Sequence, residues 1–202
     1  MKRKRLSEIN AGSMADIAFL LLIFFLVTTT MDIDKGIFRK MAQKDENPST
    51  LELNNRNVLE ININRNNEIL VGDDLISIKE LSAITQNFID NGGGKDTKGN
   101  VCDWCKGQKK NNLSDHPTKA LITITADRNA KYETYVAVLD RVHYAYTKLR
   151  NTLALQLYRK TYVELEEKFK KTRSNQILEK VKLIRSKYPM LIGDIETTMA
   201  SK

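Results

Sequence analysis

Asp16 is an acid in surroundings that are unusual for one. It is the only charged residue between Ile9 and Met31, and the stretch from Ile17 to Met31 is uncharged. About 20 apolar residues span the hydrocarbon core of a bilayer, so residues 10–31 predict a transmembrane helix with Asp16 inside it. A carboxylate in hydrocarbon is costly unless it faces protein, water or a proton, and an acid in such a span is a functional-site hypothesis by default.

The residues that share a helix face with Asp16 indicate how it would be reached. Residues three, four and seven positions apart lie on the same side of an α-helix. This spacing predicts a pore face that consists of Leu20, Ile23, Val27 and Thr30. The face therefore carries an acid towards one end and a hydroxyl towards the other. Such a face suits a helix that is sealed inside other protein, with a narrow path for water to the acid.

Three interpretations compete with a functional span. A cleaved signal peptide would use Lys2–Arg5 as its charged region, but the segment ends in Thr28–Met31 without an A-x-A-like cleavage site. A plain membrane anchor would tolerate Asp16 near the interface. A buried helix of a soluble domain is disfavoured because the run from Leu20 to Val27 is apolar on all sides.

The charges on either side of the span predict its orientation. Lys and Arg residues crowd the first five positions, whereas the first charges after the span are Asp32 and Asp34. Cytoplasmic flanks carry the excess of Lys and Arg, so we expect residues 1–9 to be a cytoplasmic tail and the rest of the chain to lie across the membrane. Residues 32–56 are polar, and their length and composition predict a flexible tether.

The composition excludes several classes of protein. The net charge of +8 would suit nucleic acid, but the basic residues are scattered and no nucleic-acid motif accompanies them, so we interpret them as solvated helix faces and a membrane-proximal tail. The sequence has no phosphate-binding loop, no Ser/His/Asp set and only two histidines. We therefore expect a protein that is not an enzyme and that needs no cofactor or metal.

Cys102 and Cys105 are the second candidate site. They lie in residues 92–118, a polar stretch rich in Gly and Lys that is too long for an ordinary connection. A redox centre would need a helix amino terminus to activate a thiol, whereas the flanking residues predict a loop. A zinc site needs four ligands, and only Asp115 and His116 lie near. If this stretch lies on the far side of the membrane, in an oxidising compartment, a local disulfide between the two cysteines is favoured. Free thiols, or cysteines that pair only with a partner, also fit this pattern.

Hydrophobic patterns after the tether predict alternating strands and helices. Leu59, Ile61 and Ile63 alternate with polar residues, which is typical of a half-buried strand. The patterns that follow predict a return strand at Glu68–Val71 and a helix that ends at Asn91 and is opened by a capping box of Ser77 and Glu80. They then predict a third strand at Leu121–Thr125, a second helix from Lys131, and further helical runs up to Lys187. Leu155 and Leu157 fit either a helix or a short strand. We interpret Asp127 as bonding its own turn and not as a catalytic acid.

Two runs of residues resemble one protein family. Ser13–Phe25, after a short basic tail, is similar to the membrane segment of the ExbD/TolR family of biopolymer-transport proteins. Ala120–Arg128 resembles the strand and A-D-[RK] signature of the family's periplasmic domain. The resemblance implies a single N-terminal transmembrane helix and a small α+β periplasmic domain, a short β-sheet packed by two helices, in residues 57–150. Residues 92–118 are then an inserted loop, and residues 151–202 are a long helical C-terminal extension.

The resemblance also implies a function. It identifies Asp16 as the proton-translocating residue of a motor in the bacterial inner membrane that couples the proton motive force to outer-membrane transport. A homodimer of spans would sit in lipid within a pentameric ring of ExbB/TolQ-like polytopic subunits, and the periplasmic domain would act on a TonB-like partner. Two competing functions are a TolR-like membrane-anchored module that binds peptidoglycan or a partner protein, with an inert span, and a secreted soluble domain.

Overall fold

The computed structural model describes residues 11–28 and 54–194. They belong to two separate compact units, one that ends at Ser49 and one that begins at Thr50. The predicted cytoplasmic tail, most of the predicted tether, Thr30 and residues 195–202 lie outside the described residues.

The first unit contains helix α1 (Ala11–Thr28). Ala, Met and Leu favour this helix, and no proline interrupts it. All of its side chains from Met14 to Phe25 are exposed. Among residues 11–28 and 54–194, no helix has the length and apolar character that a membrane crossing requires. The span predicted for residues 10–31 extends past both ends of α1.

The second unit is built on a five-stranded sheet in the order β3-β2-β1-β4-β5. Its strands are β1 (Val58–Ile63), β2 (Ile69–Val71), β3 (Asp74–Ile76), β4 (Leu121–Ala126) and β5 (Ile192–Asp194). β2 pairs antiparallel with both β1 and β3, whereas β4 pairs parallel with both β1 and β5. A parallel pair needs a long crossover connection, and helices supply it in both cases.

The helices of this unit are α2 (Ile78–Ile89), α3 (Tyr132–Tyr158), α4 (Tyr162–Thr172) and α5 (Asn175–Lys187). At the start of α2 the carboxylate of Glu80 accepts a hydrogen bond from the backbone N–H of Ser77 at 3.0 Å, as the predicted capping box requires, and a second one from the Ser77 hydroxyl at 2.8 Å. The predicted small α+β domain with a short sheet is confirmed.

One hydrophobic core joins the sheet to α2 and α3. β1 buries Leu59, Ile61 and Ile63 at alternate positions, as predicted. β4 buries three consecutive residues, which is typical of a strand that is covered on both faces of the sheet. The helices add Leu81, Phe88, Ile89, Val138, Val142 and Tyr146.

The last third of the second unit contains a strand, β5, in addition to the helical runs expected there. α4 and α5 are helical, but they lie between α3 and the final strand β5. The domain boundary expected at residue 150 falls inside α3, and Leu155 and Leu157 are exposed residues of that helix. α4 and α5 pack against the end of α3 through a second hydrophobic cluster, which consists of Ala154, Tyr162, Leu165, Val181 and Ile184.

Candidate functional site

Asp16 lies in the second turn of α1, and its side chain is exposed. Leu20 and Ile23 follow on the same face and are 60% and 42% exposed. Val27 lies about 16 Å along the helix axis from Asp16, whereas Thr30 lies outside the described residues. Large apolar side chains are exposed on every other side of the helix: Met14, Ile17, Phe19, Leu21, Leu22, Phe24 and Phe25. The helix thus presents one carboxylate within an apolar surface.

Cys102 and Cys105 are joined as a disulfide, with their Cα atoms 5.5 Å apart. Cys102 is buried, whereas Cys105 is half-buried. Gly92, just after α2, lies so close that a Cβ atom on it would be 2.7 Å from the Cβ of Cys105. Its φ of +62° also favours glycine at this position. The disulfide is therefore packed directly against the end of α2.

Asn91 is the fully buried residue that anchors the rest of the insertion. Its amide donates hydrogen bonds to the carbonyl oxygens of Lys110 and Ser114, at 2.9 and 2.8 Å, and its oxygen accepts one from the N–H of Lys110 at 2.8 Å. The Ser114 hydroxyl donates to the carbonyl of Phe88 at 2.5 Å. These bonds explain how a stretch with little regular secondary structure keeps a defined position.

The far end of the insertion is fixed to the start of the sheet. Asp115 forms an ion pair with Arg56 at 3.0 Å and accepts a hydrogen bond from the side-chain amide of Asn57 at 3.0 Å. The Arg56 guanidinium also donates to the carbonyl of Leu113, at 3.1 Å from Nη2. The insertion is therefore held at both ends by buried or half-buried polar groups.

Asp90 connects the insertion to the end of α5. One carboxylate oxygen accepts a hydrogen bond from the Tyr188 hydroxyl at 2.6 Å, and the other accepts one from the Lys106 N–H at 3.1 Å. Burial raises the pKa of Asp90, although both hydrogen bonds act in the opposite direction. Burial and the bond to Asp90 together raise the pKa of Tyr188 well above its usual range, so the phenol remains the donor.

Trp104 makes a second connection to α5. The Lys187 ammonium lies 3.5 Å from the centre of the indole ring, a cation–π contact. The rings of Trp104 and His116 are nearly perpendicular to each other, in a T-shaped arrangement with ring centres 5.3 Å apart. The indole Nε1 is buried and has no hydrogen-bond partner in the described part of the chain. His116 accepts a hydrogen bond at Nδ1 from the Thr118 N–H.

Arg150 is a buried cation that sequence patterns did not reveal. Its guanidinium donates two hydrogen bonds to the carbonyl of Tyr188, at 3.1 and 2.7 Å, and lies near the rings of Tyr146 and Tyr162. Burial lowers the pKa of Arg150 and raises that of Tyr146 to about 12. A buried charge requires such partners. The signal in the sequence is the helical spacing of Arg150 from Tyr146 and Leu153, which places a basic residue on the apolar side of α3.

Two further features complete the surface of the second unit. The Asp127 carboxylate accepts a hydrogen bond from the N–H of Asn129 at 2.9 Å, so Asp127 stabilises its own turn, as interpreted from the sequence. A cleft of about 510 Å³ lies beside the edge strand β3, where Leu75 is 65% exposed. Ile69 and Ile78 form part of its apolar lining, and Lys131 also lines it.

Comparison with known proteins places this arrangement in a family. The family described as "Biopolymer transport protein ExbD/TolR" matches residues 2–154, about three quarters of the chain. The matched range contains α1 with Asp16, the first four strands and most of α3, whereas α4, α5 and β5 lie beyond it. A search of curated proteins gives no match. The chain belongs to the ExbD/TolR family of biopolymer transport proteins.

Proposed function

We propose that this protein is the proton-carrying subunit of an energy-transducing motor in the bacterial inner membrane. Asp16 carries the proton, and the motor couples the proton motive force to transport at the outer membrane. The single observation that supports this most is the lone acid within the apolar surface of α1, in a chain that belongs to a transport family. An acid is retained in such a setting when it has a functional role.

The exposed side chains of α1 support a span that is covered by lipid and other protein. An exposed apolar surface of this extent indicates an interaction site or a membrane. We propose that residues 10–31 cross the inner membrane once, with the amino terminus in the cytoplasm. Leu20, Ile23, Val27 and Thr30 would then line the path beside Asp16, within a ring of ExbB/TolQ-like subunits that holds a homodimer of spans.

The mechanism follows from the cost of a buried charge. When Asp16 takes up a proton from the outer side, its charge disappears and the helix can move against the apolar wall of the ring. When the proton leaves towards the cytoplasm, the charge returns and the helix resets. The electrical part of the driving force is about 2.3 kcal/mol per charge at 100 mV, which is enough to bias a step of this kind.

We propose that the second unit lies in the periplasm and transmits the motion to a TonB-like partner. The cleft beside β3 supports this role, because an open strand edge with apolar pockets suits an extended segment of another protein. The same cleft favours the second candidate function, a TolR-like binding module on an inert anchor. The two candidates differ in whether Asp16 must exchange a proton.

The experiment replaces Asp16 by Asn and measures receptor-dependent nutrient uptake in cells. Asn is close to Asp in size and forms hydrogen bonds, but it cannot gain and lose a proton. We expect uptake to be lost while the protein still inserts and still co-purifies with its ring partner.

Asp34→Asn is the matched control, because it removes an acid from the sequence after the predicted span. We expect this variant to support uptake at the wild-type level. Normal uptake with Asn at position 16 would favour the binding module on an inert anchor.

A further inference from the structure

The strand β5 closes the sheet with few contacts of its own. It pairs with β4 over three residues only, and a short edge segment of this kind can open locally at a low free energy. The chain that leads into it is held by two contacts from α3. Arg150 donates to the carbonyl of Tyr188, and the N–H of Leu191 donates to the Tyr146 hydroxyl at 3.4 Å.

Two more contacts reach the same segment from the end of α2 and the insertion. The Tyr188 hydroxyl donates to Asp90, and the Lys187 ammonium lies over the Trp104 ring. These two contacts link regions that are far apart in the chain: Tyr188 and Asp90 are 98 positions apart, and Lys187 and Trp104 are more than 80 positions apart. They are therefore tertiary contacts, one made by the end of α2 and the other by the insertion.

The Trp104 contact belongs to the loop that the disulfide closes, and the same loop also bonds Asp90, the acceptor of the other contact. Trp104 lies between Cys102 and Cys105, so the disulfide restricts the backbone segment that carries its ring. Lys106 follows Cys105 directly, and its N–H bonds the carboxylate oxygen of Asp90 that Tyr188 does not use. Gly92 packs against this disulfide so closely that a Cβ atom on it would lie 3.2 Å from the Cys105 sulfur.

We propose that residues 102–106 form a redox-sensitive latch that holds β5 in the sheet. The closed latch is the disulfide form described here, with Trp104 on Lys187 and Asp90 bonded to both Lys106 and Tyr188. A dithiol reductant opens it. The reductant's thiolate attacks the half-buried Cys105 sulfur and forms a mixed disulfide, with Cys102 as the leaving thiolate.

The second thiol of the reductant then resolves the mixed disulfide. The protein gains two electrons and two protons as two cysteine thiols, and the reductant becomes a disulfide. The buried indole N–H of Trp104 has no hydrogen-bond partner among the described residues, and this favours opening, because water would satisfy the N–H once the ring leaves its buried position. The latch does not depend on the transport role, and an oxidising compartment keeps it closed.

The test uses the full-length protein in detergent micelles, oxidised or treated with dithiothreitol. Complete reduction is verified by alkylation of both thiols and mass measurement. Trp104 is the only tryptophan in the chain, so its fluorescence reports on the latch directly. We expect a red shift of its emission on reduction. We also expect amide hydrogen exchange in residues 188–194 to become about tenfold faster, while exchange in β1 stays unchanged.

Trp104→Ala in the oxidised protein should accelerate exchange in residues 188–194 to the same degree. Tyr144→Ala is the matched control, since it removes an aromatic side chain that is 51% exposed on α3, and it should leave that exchange unchanged. Two results would overturn the proposal. One is unchanged exchange in residues 188–194 after complete reduction, and the other is an equal acceleration in β1, which would mean that the disulfide supports the whole unit.

Discussion

His116 is a titratable side chain that the fold keeps almost fully buried, at 1% exposure. Burial lowers its pKa, which disfavours the charged imidazolium. Among the charges around it, Asp96 and Asp103 act to raise the pKa, and Lys119 and Lys187 act to lower it further. The folded protein therefore holds His116 neutral at a pH at which the unfolded chain already binds a proton.

We expect stability to fall on acidification in a window set by His116. Its contribution is fully present above about 6.5, the usual pKa of histidine, and is lost as the pH falls through the lower folded-state pKa. His116→Gln should remove this loss, so the free energy of unfolding should fall less between about pH 7.5 and 5.5 in the variant than in the wild type. Urea unfolding at both pH values measures this. The raised pKa of Asp90 makes the free energy of unfolding rise on acidification, and this contribution is the same in both proteins, so it cancels in the comparison. Equal losses in the two proteins would contradict the prediction.

Residue roles could be predicted where the partner is close in sequence. Ser77 and Glu80, and Asp127 and Asn129, bond within three positions, and a local pattern was sufficient for both. Asn91 and Arg150 bond to residues 19 to 38 positions away, and Asp90 to one 98 positions away. These partners come together only in the tertiary fold, so a local pattern of residue types does not predict them.

At the scale of elements, Arg150 joins α3 to the segment between α5 and β5. Arg150→Met keeps much of the volume but removes both hydrogen bonds and leaves the Tyr188 carbonyl unpaired. We expect a loss of about 2–4 kcal/mol in the free energy of unfolding. Arg141→Met on the exposed side of the same helix is the control, and it should change stability by less than about 0.5 kcal/mol. Equal effects from the two substitutions would show that the bonds to Tyr188 do not stabilise the fold.

Elements with a strong apolar period could be predicted, whereas the short edge strands could not. β1, β4, α2 and the start of α3 each have several apolar residues at the right spacing. β3 and β5 have three residues each, too few for a period. β5 forms because it pairs with β4 and because Arg150 and Tyr146 form hydrogen bonds with the residues just before it. α4 and α5 separate β5 from α3 by more than 30 residues in the sequence.

At the scale of the whole molecule, the proposed function requires the second unit to lie across the membrane from the amino terminus. The excess of Lys and Arg before residues 10–31 motivates this orientation. Alkaline phosphatase fused after Lys202 should be active, and a fluorescent protein fused before Met1 should fluoresce, because each reporter works in the compartment predicted for it. An inactive phosphatase in a fusion that is expressed intact would contradict the orientation.

The central claim is that Asp16 carries protons through the assembled motor. The direct measurement reconstitutes the chain with its co-purifying ring partner in liposomes, imposes an electrical potential, and follows the internal pH with a dye. The wild-type assembly should conduct protons, and the Asp16→Asn assembly should conduct no faster than protein-free liposomes, because Asn cannot bind and release a proton. Equal proton flux through the two assemblies would contradict the claim.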